Sequence, residues 1–352
     1  MTHFVTLESM MPVSPPREEE RGALPDRLVD RFGRVHTNLR ISITDRCDFR
    51  CVYCMPEEME FFPREHLLTY EEIVRLVRIA ARLGVDKVRL TGGEPLVRRD
   101  VTHLVEALSR LGALRDLSLT TNGARLAELA QPLWEAGLRR INVSLDSLDP
   151  VKFARITRRD MLDRVLAGLA AAARVGFRPI KVNVVAIRDF TEEELLDFAR
   201  LAREGPYEVR FIEFMPLDGD DLWDASRVLP AGEILARIGA AYPLERVPGQ
   251  SPSDPATLYR FTDGSGQIGI IPTVTEPFCA HCNRIRITSD GMLRYCLFAL
   301  EETDLKTPLR AGASDEEIAW RFVETVRGKW AGHLIQQAEF VKPRRTMSQI
   351  GG

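Results

Sequence analysis

The sequence predicts an α/β fold in which parallel strands alternate with helices to form an incomplete barrel. Short β-branched runs alternate with longer stretches whose apolar residues recur at helical spacing. Six such runs occur within about 180 residues, whereas a complete eight-stranded barrel has roughly 250. Polar residues collect where these runs end. An incomplete (β/α)6 barrel fits these observations better than a flat doubly wound sheet, which stays the alternative.

The six predicted strands are LRISI (39–43), KVRLT (87–91), LSLTT (117–121), INVSL (141–145), IKVNVVAI (180–187) and VRFIEF (209–214). The predicted helices span 70–84, 101–112, 125–137, 161–176 and 191–204. Glycine follows several of these helices closely, as a C-terminal cap requires. Alternation of this kind implies parallel strands joined by right-handed crossovers, so the ligand site is expected at the carboxyl ends of the strands.

The pattern predicts three segments along the chain. Residues 1–33 are expected to form a flexible N-terminal arm, because 8–26 are rich in Pro, Glu and Arg. Residues 34–245 are expected to form the partial barrel. The stretch 248–272 is rich in turn residues and then alternates like a hairpin. We therefore expect a smaller C-terminal domain over 246–352.

Composition limits the functions that the chain can have. Its 352 residues, 45% of them apolar, can bury a large core. The sequence has no long apolar run and no charged-then-apolar leader, which predicts a soluble, cytoplasmic protein without membrane association. The 48 Lys and Arg residues balance 51 Asp and Glu residues, so the net charge of −3 gives no general attraction for nucleic acid. An anionic ligand would have to be bound by a local cluster.

The segment TDRCDFRCVYC (44–54) contains three closely spaced thiols, Cys47, Cys51 and Cys54. Three thiolates can hold three irons of a four-iron cluster and leave the fourth iron open to a further ligand. A zinc site with a distant fourth ligand is the alternative, and disulfides are disfavoured in a long chain with few cysteines. The CxxxCxxC spacing, with Tyr53 before the last cysteine, resembles the radical S-adenosylmethionine (SAM) superfamily.

The turn TGGEPLVRRD (91–100) follows the second predicted strand. Paired glycines let a backbone come close to a ligand, although such a pair is usually only a turn. Behind this cysteine triplet it resembles the GGEP motif of the superfamily. That resemblance implies that the backbone near Gly93 binds the methionine end of SAM.

A second triplet, Cys279, Cys282 and Cys296, lies in CAHCNRIRITSDGMLRYC (279–296). A zinc site that also uses His281 is the alternative to a second open cluster. Arg284 and Arg286 alternate just after Cys282, so both side chains project to one side of a strand. Guanidinium groups pair bidentately with phosphate oxygens, so this segment indicates a phosphate-bearing substrate.

The two triplets, the NRIRIT segment and the terminal Gly351-Gly352 together resemble the GTP 3′,8-cyclase family of molybdenum cofactor biosynthesis over residues 34–352. The resemblance implies a radical SAM type of barrel, two [4Fe–4S] clusters and SAM as cofactors, and GTP as substrate. In that family SAM cleavage gives a 5′-deoxyadenosyl radical that abstracts the ribose 3′ hydrogen of GTP, which leads to 3′,8-cyclised GTP. The implied partners are an electron donor such as flavodoxin or ferredoxin and the downstream cyclic pyranopterin monophosphate synthase; a homodimer is compatible with the resemblance.

The resemblance also implies roles for single residues. The residues expected to contact GTP are Arg40, Arg89, Thr120, Lys181, Arg284 and Arg286. The residues expected to contact SAM are Tyr53, Gly93, Ser144 and Met215. Gly351 and Gly352 are expected to reach the active site, although a frayed end is what most chain termini form. Two other classes stay open: a peptide-modifying radical SAM maturase and a two-site zinc protein that binds RNA.

Overall fold

The computed structural model describes residues 22–335 and 337–351. Its strands are β1 Asn38–Ser42, β2 Lys87–Thr91, β3 Asp116–Thr121, β4 Arg140–Ser144, β5 Ile180–Ala186, β6 Tyr207–Glu213, β7 Leu244–Arg246, β8 Thr257–Phe261, β9 Gln267–Ile271, β10 Arg284–Ile287, β11 Met292–Arg294 and β12 Thr303–Asp304. Its α-helices are α1 Tyr70–Arg82, α2 Val101–Ser109, α3 Leu126–Glu135, α4 Pro150–Thr157, α5 Leu162–Val175, α6 Leu195–Glu204, α7 Ala231–Ala241, α8 Lys306–Arg310, α9 Asp315–Arg327 and α10 Met347–Ile350. Short 3-10 helices span Arg64–His66, Pro95–Val97, Glu192–Glu194, Ala225–Arg227 and Cys279–His281. All six predicted strands and all five predicted helices form.

The described chain divides into two compact units, and neither is continuous in sequence. The first unit contains the described residues up to 46, then 60–117, and those from 279 onward. The second unit contains 47–59 and 118–278. This division differs from the expected one, which placed 34–245 in a barrel and 246–352 in a separate domain. The expected domain boundaries stay a prediction.

In the first unit the strand order is β12-β11-β10-β1-β2. The strands β10, β1 and β2 run parallel, whereas β11 and β12 continue the sheet in antiparallel pairs. Leu39 and Ile41 of β1 are fully buried, as are Ile285 and Ile287 of β10. Because side chains alternate along a strand, the polar residues between them point to the opposite face.

In the second unit the strand order is β3-β4-β5-β6-β9-β8-β7. The pairs from β3 to β6 are parallel, and β9 adds a fifth parallel strand beside β6. The predicted hairpin in 248–272 is confirmed as the antiparallel pair β8 and β9. Its parallel pairing with β6 was not expected, because the sequence favoured a separate domain there.

Local signals in the sequence explain where the helices begin and end. Helix α1 begins at a capping box in which Thr69 and Glu72 satisfy each other's backbone N–H groups, a feature worth about 1 kcal/mol. Helix α5 ends at Gly176, whose φ of 107° suits glycine. Helix α6 places Phe198 edge-on against Phe211 of β6, with ring centroids 6.1 Å apart. Such contacts pack the helices on the apolar face of each sheet.

Two residues at the end of the predicted N-terminal arm, Leu28 and Asp30, are buried. Leu28 is 1% exposed and its N–H donates to the Leu83 carbonyl. Asp30 is buried in an ion pair with Arg34. The rest of the predicted arm, residues 1–21, lies outside the described residues. In the part of the chain that the structure describes, no helix combines the length and the apolar character needed to cross a membrane.

Candidate functional site

The first cysteine triplet lies in the second unit, in a loop that is stabilised by hydrogen bonds to its own backbone groups. The Phe49 N–H points at the Cys47 sulfur over 3.3 Å, and the Arg50 guanidinium donates to the Cys47 carbonyl over 2.7 Å. The Cys54 N–H donates to the Cys51 carbonyl. Burial raises the pKa of the Cys51 thiol, and Asp146 and the other two thiols raise it further. The three sulfurs are therefore close enough to influence one another.

Tyr53, within this loop, is anchored to the end of β4. Its hydroxyl donates to Asp146 Oδ2 over 2.6 Å, and the Val185 N–H donates to Asp146 Oδ1 over 2.8 Å. Burial raises the pKa of Asp146 to about 6, although these two hydrogen bonds oppose that rise. Asp146 thus fixes the aromatic ring beside the last cysteine. The sequence analysis gave Asp146 no role.

The GGEP turn lies in the first unit and packs directly on the loop after β1. A Cβ on Gly93 would lie 2.4 Å from the Arg46 carbonyl oxygen, and one on Gly92 would lie 2.6 Å from that of Thr44. No side chain fits at either position. The Gly93 N–H donates to the Thr44 carbonyl and the Glu94 N–H donates to the Arg46 carbonyl. Because these two N–H groups are already used, the carbonyl groups of the turn are the ones that can accept hydrogen bonds from an amino group.

Three of the expected GTP contacts form one row across the sheet of the first unit. Arg40 on β1 lies beside Arg286 on β10 and beside Arg89 on β2, each pair in direct register. Arg284 lies two residues before Arg286, so it projects to the same face. Neighbouring strands are about 4.8 Å apart, which places these guanidinium groups within reach of a single phosphate chain.

The electrostatics of this row favour an anion. Burial lowers the pKa of Arg40, and the charges of Arg286, Arg89 and Arg284 lower it further. Burial likewise lowers the pKa of Arg286 to about 10. The Arg40 Nε is buried without a hydrogen-bond partner. Since a buried cation is costly unless it is paired, a multiply charged anion would stabilise the row.

The second unit has a polar face built from β3 to β6. One row in register contains Thr120, Asn142, Lys181 and Glu208, and the Lys181 residue is buried. The next row, two residues further along, contains Ser144, Asn183 and Arg210.

Arg210 is a buried cation on this face that the sequence analysis did not single out. It forms an ion pair with Glu208, which also accepts a hydrogen bond from Gln267. The signal that could have found it is a cation within an apolar strand, which is costly without an anionic partner.

Met215, the remaining expected SAM contact, is half-buried just after β6, and its carbonyl accepts from the Leu217 N–H over 2.8 Å. It lies in the second unit together with Tyr53 and Ser144, whereas Gly93 lies in the first.

The second cysteine triplet lies in the first unit, next to the arginine row. Burial would raise the pKa of the Cys282 thiol, but the Lys329 ammonium and the Arg284 guanidinium lower it to about 6. Burial and the Cys296 thiol raise the pKa of Cys279 to about 12. The Phe298 N–H points at the Cys296 sulfur over 3.4 Å. Cys296 therefore receives a backbone N–H donor, as Cys47 does in the first triplet.

The C-terminal tail is docked in the first unit. A capping box of Thr346 and Gln349 begins α10, and Ile350 is fully buried. The Arg286 guanidinium donates to the Gly351 carbonyl over 2.6 Å. Gly351 therefore reaches the arginine row. Gly352 lies outside the described residues.

Comparison with known proteins identifies the family. A model of the radical SAM superfamily matches residues 41–202, and one described as molybdenum cofactor synthesis C matches residues 207–335. A GTP 3′,8-cyclase of Rhodopirellula baltica is 48% identical, with 93% of each chain covered. A GTP 3′,8-cyclase of Moorella thermoacetica is 46% identical, with 92% of this chain and 100% of that protein covered.

The chain belongs to the GTP 3′,8-cyclase family of the radical SAM superfamily. The predicted fold class is confirmed as the mixed α/β fold of radical SAM enzymes with a C-terminal molybdenum cofactor synthesis region. Among solved structures, Streptococcus suis SuiB bound to S-adenosylmethionine matches with a TM-score of 0.59 at 14% identity, covering 88% of this chain and 77% of SuiB. That likeness supports the fold alone.

Membership of the radical SAM superfamily implies SAM and a [4Fe–4S] cluster. Within residues 22–335 and 337–351, no group of three or more His, Cys, Asp or Glu side chains is arranged to hold a metal ion. The first triplet nevertheless fits the cyclase's cluster by its chemistry, because three thiols that form no disulfide share one loop and the Cys47 sulfur faces an N–H donor.

Proposed function

We propose that this chain is a GTP 3′,8-cyclase of molybdenum cofactor biosynthesis. When bound, the first cluster and SAM supply the 5′-deoxyadenosyl radical that abstracts the ribose 3′ hydrogen of GTP and leads to 3′,8-cyclised GTP. The observation that carries the proposal is the row of Arg40, Arg89 and Arg286 beside a cysteine triplet, in a chain 46–49% identical to named cyclases over 92–93% of its length.

The first triplet has the role of anchoring the cluster that serves SAM. Cys47, Cys51 and Cys54 would hold three irons of the cluster, and the Phe49 N–H lies against the Cys47 sulfur. Tyr53, held by Asp146, and Ser144 and Met215 contact the nucleoside part of SAM. The carbonyls of the Gly93 turn accept hydrogen bonds from its amino group, since the N–H groups there are already used.

The arginine row has the role of binding the triphosphate. Its charges are held close together before the ligand arrives, so little reorganisation is needed when the anion binds. The Arg40 Nε can donate to a phosphate oxygen, and Arg284 and Arg286 add forked donors. Thr120 and Lys181 bind further polar groups of GTP. Fixing the ribose in this way directs the radical to one hydrogen.

The second triplet, Cys279, Cys282 and Cys296, would hold a second [4Fe–4S] cluster, which would serve the substrate. The alternative zinc site would need His281, and that side chain is exposed. A flavodoxin or ferredoxin as electron donor, hand-over of the product to cyclic pyranopterin monophosphate synthase and a cytoplasmic location belong to the same proposal, and a homodimer is compatible with it.

Gly351 and Gly352 have the role of closing the site around the substrate. The contact between Arg286 and the Gly351 carbonyl links the tail to the triphosphate site. We expect the tail to act after hydrogen abstraction, when ring closure needs a fixed geometry, because the described tail contact involves no residue of the first triplet.

Anaerobic purification and cluster reconstitution test the proposal. We expect a coloured protein with iron and sulfide for two clusters, which converts GTP and SAM into cyclised nucleotide and 5′-deoxyadenosine. Cys51→Ala should abolish both products, because the cluster loses an anchor. The matched variant Cys282→Ala should lose the cyclised nucleotide but keep uncoupled SAM cleavage. A colourless protein that contains zinc, or 5′-deoxyadenosine formation by Cys51→Ala, would overturn the proposal.

A further inference from the structure

Lys329 is a buried lysine whose ammonium lies against the second cysteine triplet. Its residue is 2% exposed, and its Nζ lies 3.4 Å from the Cys282 sulfur. The same Nζ donates to the Arg284 carbonyl over 2.8 Å. Lys329 directly follows Gly328, the C-cap of α9. The sequence analysis gave it no role, and neither the SAM nor the GTP contacts above include it.

A buried arginine holds Lys329 in this position. The Arg34 guanidinium donates to the carbonyls of Trp330 and Ala331 over 2.6 and 2.7 Å, and also to the Cys279 carbonyl over 2.8 Å. Asp30 orients Arg34 by accepting from its Nε over 2.6 Å. One guanidinium therefore ties the loop after α9 to the turn that contains the cysteines. The distance from the ammonium to the sulfur is fixed by the fold, not by a flexible surface side chain.

A cation at this position has a defined effect on a redox centre. Reduction adds a negative charge, and a nearby fixed positive charge stabilises the reduced form more than the oxidised form. Hydrogen bonds to cluster sulfurs and the net charge around the cluster are the terms by which a protein sets a cluster's potential. Burial increases the effect, since little water screens the charge.

We propose that Lys329 raises the reduction potential of the second cluster by placing a cation and an N–H donor on the Cys282 sulfur. The inference rests on the proposed function, which puts a [4Fe–4S] cluster at this triplet. The two clusters would then have different roles. A cluster that is easier to reduce is a weaker reductant, so Lys329 makes the second cluster unsuited to cleaving SAM and leaves that task to the first triplet.

Redox titration monitored by electron paramagnetic resonance tests the inference. The experiment uses the full-length chain carrying Cys47→Ala, Cys51→Ala and Cys54→Ala, in which only the second cluster remains. In this background, Lys329→Met should shift the reduction equilibrium at least tenfold towards the oxidised form, a fall of about 59 mV for one electron. Lys329→Gln removes the charge but keeps a donor, so it should show most of the same fall. Lys329→Arg keeps the charge and should stay near the parent potential.

Lys306→Gln is the matched control. Lys306 lies in the same unit, and its Nζ donates to the His66 carbonyl over 2.9 Å, with no contact to a thiol. Its loss should leave the potential unchanged. Equal reduction potentials in Lys329→Gln and Lys329→Arg would overturn the inference. This comparison tests the charge of Lys329 even if Lys329→Met does not hold iron. A background variant with no iron–sulfur signal at all would instead count against the proposed second cluster.

Discussion

Gly351 has a backbone conformation and a close contact that an alanine cannot share. Its φ is +80°, and a Cβ built there would lie 2.6 Å from Thr91 Oγ1 and 3.0 Å from the Ser42 Cβ. Both neighbours are buried at the ends of β2 and β1, and the Thr91 hydroxyl is held by the Ile41 carbonyl. They cannot easily move aside. Gly351→Ala is therefore expected to displace the tail.

The magnitude follows from two costs. The left-handed conformation costs a non-glycine residue about 1–2 kcal/mol. Forcing a methyl group into a packed site costs typically about 1–3 kcal/mol. The total of roughly 2–5 kcal/mol compares with about 1.5–3 kcal/mol for the charge-assisted hydrogen bond from Arg286 to the Gly351 carbonyl. At about 1.4 kcal/mol per factor of ten, the docked tail becomes at least about 30-fold less populated.

The assay is the ratio of cyclised nucleotide to 5′-deoxyadenosine in anaerobic turnover. We expect Gly351→Ala to cleave SAM and bind GTP nearly normally, and to lose most of the cyclised product. One residue added after Gly352 should have the same effect. Gly312→Ala is the control, because Gly312 has a φ of +88° but open space around its Cβ position. A wild-type ratio in both tail variants would refute a positioning role for the tail.

Two further predictions concern the charged groups of the first unit. Arg40→Met should weaken GTP binding by about ten- to hundredfold, measured by calorimetry. It should also raise the unfolding free energy of the GTP-free protein, because it removes a cation from a row of like charges. The control Arg294→Met should lower that stability, since Arg294 is paired with Glu302; an unchanged GTP affinity in Arg40→Met would contradict the row's assignment. His36 is buried against Asp30, and burial lowers its pKa from 6.5 to about 4. As the pH falls, the unfolded chain therefore binds the proton before the folded protein does. The free energy of unfolding should then fall by up to about 1.4 kcal/mol per pH unit as the pH drops from 6.5 to 4. His36→Gln should flatten that part of the stability curve in chemical denaturation, and an unaltered acid slope would show that His36 is not its source.

Sequence alone determined the elements and much of the chemistry. Strands and helices could be predicted because apolar residues recur every two residues in a strand and every 3.6 residues in a helix, and a short segment is enough to show either period. The alternation of Arg284 and Arg286 placed both on one face for the same reason. The two cysteine triplets were equally visible, because each lies within a short stretch of sequence.

Tertiary structure decided which distant segments lie side by side. The register that aligns Arg40 with Arg89 and Arg286 depends on pairing among three strands, two of which are far apart in the chain. Nothing in RIRI or LRIS alone specifies that register, since it is fixed by how whole strands pack. The pairing of β9 with β6 was missed on the same ground.

The tail and Lys329 show the same limit at single residues. A terminal Gly-Gly most often frays, and only the contacts at Ser42, Thr91 and Arg286 give Gly351 a fixed place. Lys329 follows a helix-capping glycine, where a lysine is ordinarily solvated. Its burial against Cys282 results from Arg34 joining segments from both ends of the chain. Such contacts are set by the free energy of the whole fold, so a local reading of the sequence cannot contain them.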